Sequence, residues 1–198
     1  HLLLLTAATV IISSCKKSSN DSGKSNPAVA QSYSNVSYGT DAAQKMDVFL
    51  PANRSTTSTK AMIIIHGGAW SGGDKTDLNA FIDTLKRRMP DYAIFNINYR
   101  LATGTANFFP TQENDVKAVI EFIYGKRSEY LISDKFVLNG QSAGGHLALL
   151  YAYKYTTPVK IKAVIDFFGP SDMVDLYNNP GLVPAATIAL IVGATPIS

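Results

Sequence analysis

The stretch that most constrains the fold is Lys135–Lys154, KFVLNGQSAGGHLALLYAYK. It opens on a short apolar run of strand composition, Phe136–Leu138, and closes on a run of helical composition, His146–Lys154. Between them stands Gly140-Gln141-Ser142-Ala143-Gly144, extended by Gly145. A chain that passes from strand to helix in so few residues strains its backbone at the apex. Side chains at Gly140 and Gly144 would collide with such a turn, so glycine is needed at both. The serine at the apex is held clear of the turn, and the helix that follows directs its positive end towards it. The backbone N–H of Ala143 is then free to donate to an oxyanion. This G-x-S-x-G spacing is that of a nucleophile elbow, with Ser142 as the candidate nucleophile.

A second motif lies upstream. His66-Gly67-Gly68-Ala69-Trp70 follows directly on the apolar run Ala61–Ile65. Its position and composition match the HGGG-type loop that supplies further oxyanion donors. Gly68 and Ala69 are the candidate donors here, together with Ala143. Gly67 and Gly68 let the backbone approach a substrate closely. Trp70 is placed either in an acyl pocket or under the loop.

The remaining pattern supplies the scaffold. Ser32–Tyr38 and Lys45–Leu50 alternate apolar and polar residues about Gly39-Thr40-Asp41, which predicts an antiparallel hairpin at a sheet edge. Met46, Val48 and Leu50 share one face of it. Ala61–Ile65, Tyr92–Tyr99, Lys135–Gly140 and Ile161–Phe168 read as further strands. Helices are predicted over Asp77–Arg88, over Thr111–Tyr124 with a stripe of Val116, Val119, Ile120 and Ile123, and over Ala185–Val192. Strands alternating with helices imply an α/β class and a mostly parallel, doubly wound sheet with right-handed crossovers. Reactive residues then fall at the carboxyl ends of the strands.

HGGAW, the later INYRL (Ile97–Leu101) and GQSAGGHLA (Gly140–Ala148) together resemble the α/β-hydrolases of the esterase/lipase group related to hormone-sensitive lipase. The likeness is greatest to bacterial carboxylesterases, feruloyl- and acetyl-esterase-like members included, and runs from about Tyr33 to the last residue. It implies an α/β-hydrolase fold and a carboxylic-ester hydrolase working through an acyl-serine intermediate. It also implies that His66 shapes the oxyanion loop rather than acting as a base. No cofactor or metal is expected. A serine peptidase and a non-catalytic binding protein of the same fold are the alternatives.

A serine nucleophile needs a base, usually His, oriented by an acid. In this fold the acid and then the His follow the serine in the chain. After Ser142 the only histidine is His146, four residues on and inside the predicted helix, where local packing is expected of it. Asp172 and Asp175 read as loop or cap residues. The ending GATPIS resembles the point where such esterases run on to their last two strands. The expectation is a hydrolase domain over residues 31–198 that is incomplete at its C-terminal end, with the triad Asp or Glu and His beyond Ser198.

The first 14 residues, HLLLLTAATVIISS, have the length and apolarity of a signal-peptide core that lacks its start. Ile12-Ser13-Ser14-Cys15 resembles a bacterial lipobox, with Cys15 as the lipidated residue. Residues 15–30, rich in Ser, Asn and Lys, read as a flexible tether. The expected protein is exported and held to a membrane only by its lipid, in the periplasm or on the surface of a bacterium. Its partner is a small or polysaccharide-linked ester. Eighteen basic against fifteen acidic residues, scattered along the chain, do not argue for nucleic acid. One cysteine and three histidines exclude a disulfide framework and a Cys/His metal cluster.

Overall fold

The computed structural model describes residues 26–193. The apolar leader and Cys15 lie outside the described residues, as do most of the tether. The last tether residues are exposed. They are nonetheless fastened to the loop after the hairpin, where the Pro27 carbonyl accepts from the Asn53 N–H and the Val29 carbonyl from Arg54.

Six strands form one sheet: β1 (Gln31–Ser37), β2 (Lys45–Leu50), β3 (Lys60–Ile65), β4 (Tyr92–Ile97), β5 (Lys135–Gln141) and β6 (Lys160–Phe167), in the spatial order β1-β2-β4-β3-β5-β6. The first two strands pair antiparallel and form the predicted edge hairpin, and β2 joins β4 antiparallel. From β4 onward every pairing is parallel. Parallel neighbours need a crossover, and the sequence supplies one after each inner strand. A single 3-10 turn, Lys75–Leu78, leads into α1 (Asn79–Arg88), while α2 (Thr111–Gly125) and α4 (Ala143–Lys154) carry the later crossings.

The run Ala61–Ile65 is buried on both faces, as its unbroken apolar composition predicts. On one face Ala61, Ile63 and Ile65 pack with Met46, Val48 and Phe95 against α2 and α4. The α2 stripe of Val116, Val119, Ile120 and Ile123 is fully buried there. On the other face Met62, Ile64, Ile94 and Val137 meet Leu78, Ile82 and Leu85 at the start and inner side of α1.

Three short features go beyond the sequence expectation. The helix after the elbow begins at Ala143 rather than His146, because packing of Gly144 and Gly145 against neighbouring strands overrides the poor helix propensity of glycine. Helices α3 (Arg127–Tyr130) and α5 (Met173–Asn178) are too short to leave a periodic signal. The last helix, α6, spans the predicted Ala185–Val192. Among the described residues β6 pairs only with β5, and Ile165, Phe167 and Phe168 on and just after it are exposed.

Candidate active site

Ser142 stands at the end of β5 with φ 51° and ψ −120°, a left-handed backbone that a residue with a side chain rarely adopts. The turn is fixed from both sides. The Ser142 N–H donates to the Phe167 carbonyl of β6 (2.8 Å), and the His146 N–H donates to the Ser142 carbonyl (3.1 Å). The flanking glycines are sterically required. A Cβ at Gly140 would stand 2.1 Å from the Gly144 carbonyl oxygen, and one at Gly144 would stand 2.2 Å from that of Ile65. The second contact shows why both motifs are needed together: the elbow helix rests on the backbone at the end of β3, where the HGGAW loop begins.

That loop turns back on itself. The Gly68 carbonyl accepts from the N–H groups of Ser71 and Gly72, and Gly68, Ala69 and Trp70 all have positive φ. Gly67 lies against the elbow, since a Cβ there would sit 3.3 Å from the Cβ of Ser142. The structure therefore brings Gly67 and Ser142 into contact, with Gly68 and Ala69 next along the loop. Ala143 begins α4, so its N–H has no acceptor within the helix.

His66 is 1% exposed and packs within the protein. Its ring stacks on Tyr99 (centroids 4.4 Å apart), and Nδ1 donates to the Gly67 carbonyl at 2.7 Å. Burial pushes its pKa below the usual histidine value, only partly offset by that hydrogen bond. The Tyr99 hydroxyl donates to the His66 carbonyl at 3.1 Å.

His146 departs from the expected local packing. Its Nδ1 accepts from the indole N–H of Trp70 at 3.2 Å, 76 residues away in the chain, and its ring also meets Phe109. Neither described imidazole is hydrogen-bonded to Ser142 Oγ, which has no partner among the described residues. The Asp172 carboxylate caps α5, accepting from the N–H groups of Val174 and Asp175. Asp175 accepts from Asn179 in the same segment.

Several supporting residues escaped the sequence reading. Asp47 and Lys75 form a buried ion pair beside the loop. Asp115 receives two bonds from the Arg100 guanidinium and one from Gln44. Tyr99 and Arg100 at least fall within the INYRL motif. Asp47 gives no local signal, because a charged residue in an alternating strand reads as solvent-facing.

A cavity of about 290 Å³ opens beside Trp70 and His146. Trp70, Phe109, Leu150, Met173, Ile188 and Ile191 wall it, and its polar members are Glu113, His146, Lys154, Tyr177 and Asn178. Trp70 is thus both packed, at 1% exposure, and part of a pocket wall.

The sequence model of the BD-FAE family matches residues 46–197. Esterase LipC of Mycobacterium tuberculosis is 26% identical over 152 residues, which is 71% of this chain and 37% of LipC. Among solved structures, a truncated form of a carbohydrate esterase from gut microbiota superposes with a TM-score of 0.69 at 26% identity, covering 86% of this chain and 68% of that one. A bifunctional GH43-CE protein of Bacteroides eggerthii gives 0.68 at 27% identity, over 83% of this chain and 24% of that one. The chain spans less than half the length of the curated relatives it matches.

Proposed function

The chain belongs to the BD-FAE family, and on that premise we propose that the protein carrying it hydrolyses carboxylic esters through Ser142. The observation that carries the reading is the contact of the Gly67 backbone with the strained Ser142 turn. It sets a hydroxyl beside the loop that carries Gly68 and Ala69. Ser142 Oγ attacks the ester carbonyl, the alcohol leaves, and water releases the acyl group. Gly68, Ala69 and Ala143 hold the oxyanion, each donor stabilising the transition state by about 3 kcal/mol. His66, Gly67, Gly140 and Gly144 keep the loop and elbow in place. The base and its acid are supplied by residues outside the described ones, since both described histidines are engaged elsewhere.

The test uses the full-length protein. It should hydrolyse p-nitrophenyl acetate but not aminoacyl-anilides, and a fluorophosphonate should label it at Ser142. Labelling at another residue, or activity surviving in Ser142→Ala, rejects the reading. A second reading, a binding protein of the same fold, would show no turnover and no labelling.

Cys15 and the apolar leader support an exported, lipid-anchored form, and the carbohydrate-esterase neighbour supports polysaccharide-linked esters as substrates. A fatty-acid analogue should label the wild type and leave Cys15→Ala unlabelled. Release of acid from acylated polysaccharide tests the substrate.

A further inference from the structure

On the reading that Ser142 attacks an ester, we infer that the cavity beside Trp70 receives one substituent of that ester, and that His146 selects in it an oxygen able to accept a hydrogen bond. The size fits a ring. An engineered apolar cavity of about 150 Å³ already binds benzene, and this one is about 290 Å³. Its walls are mostly apolar and aromatic, Trp70, Phe109, Leu150, Met173, Ile188 and Ile191 among them; Tyr177 and Asn178 also line it, as does Lys154, whose ammonium is paired with Glu113. Ser142 itself does not line the cavity, which adjoins the elbow through two residues. Trp70 belongs to the loop that touches Ser142, and His146 lies one helical turn beyond the serine, with its N–H on the Ser142 carbonyl.

The direction of the imidazole supplies the specificity. An indole N–H can only donate, so His146 Nδ1, 3.2 Å from Trp70 Nε1, must accept. The neutral ring then carries its hydrogen on Nε2, which has no acceptor among the described residues. The two rings meet edge to face at 85°, which fixes the imidazole plane. Burial lowers its pKa, against the opposing charges of Glu113 and Asp166. Glu113 also lines the cavity. One of its oxygens is held by Lys154 and Tyr155, and the other is buried without a partner. An apolar pocket rejects a hydroxyl it cannot satisfy, whereas one with a fixed donor accepts it.

Benzyl alcohol and toluene, similar rings with and without the oxygen, are titrated into full-length Ser142→Ala protein by ligand-observed NMR. The alcohol is expected to bind at least as tightly as toluene. His146→Phe keeps a ring but no donor, and should shift the preference roughly tenfold towards toluene. His146→Gln, whose amide can accept from Trp70 and also donate, should keep most of the original ratio. An unchanged ratio in His146→Phe, or no binding of either probe, overturns the inference. Hydrolysis of p-nitrophenyl acetate by the wild type is measured alongside. Hydrolysis without the ratio shift sinks the role of His146 and leaves the esterase reading standing. The ratio shift without hydrolysis sinks the esterase reading, and with it the claim that the bound group belongs to an ester.

Discussion

The Lys75 ammonium lies 2.8 Å from Asp47 Oδ2, and the two side chains are only 6% and 11% exposed. The pair ties β2 to the segment that leaves the HGGAW loop. The surrounding groups complete the network: the Asn35 N–H donates to Asp47 Oδ1, the Lys75 N–H to Asn98 Oδ1, and Asn96 Nδ2 to the Lys75 carbonyl. A buried ion pair adds little stability over apolar residues, but removing one partner leaves a charge stranded.

Lys75→Met should therefore lower unfolding stability by about 3–5 kcal/mol, read from urea denaturation of the full-length protein. Adding Asp47→Leu should recover more than half of that loss. A Lys75→Met midpoint equal to wild type would show that water reaches Asp47.

Gly144 and Gly125 should respond in opposite directions to alanine. A Cβ at Gly144 meets the backbone oxygens of Ile65 at 2.2 Å and His66 at 2.6 Å, so the β3 end and the elbow must separate. Gly144→Ala should lose most ester hydrolysis and about 2 kcal/mol or more of stability. At Gly125 nothing lies within 4 Å. The residue ends α2, so alanine there should stabilise by about 0.5–1 kcal/mol. Thermal melts of the two variants give the comparison, and equal shifts would contradict it.

Ser142 carries a backbone conformation that glycine adopts without strain. Ser142→Gly should abolish hydrolysis while raising stability by roughly 1 kcal/mol, because strain of order 1–3 kcal/mol is relieved. Ser142→Ala, which keeps the Cβ, should abolish activity without that gain. Comparing their melting temperatures separates strain from the loss of the hydroxyl.

Burial lowers the pKa of both His66 and His146. The unfolded chain therefore binds protons on these residues more readily than the folded one. Their contribution to stability is intact above the unfolded value of about 6.5 and is lost as pH falls through the folded values. Melting temperature should drop from pH 7.5 to pH 5, and His146→Phe should flatten part of the drop. A melting temperature that rises over the same interval would show the opposite linkage.

The hairpin, the buried β3, the α2 stripe and the glycine-flanked serine were legible because each depends on residues a few positions apart. Periodicity and steric need for glycine are local properties, so those elements and the two motifs follow from neighbouring residues alone. What those motifs face depends on contacts between distant segments. His146 pairs with Trp70 across 76 residues, and Asp47 with Lys75 across 28. Whether a charged or imidazole side chain is solvated or buried depends on which distant elements pack over it. The desolvation that lowers the histidine pKa values and strands Asp47 without Lys75 exists only once the sheet and helices have closed around them.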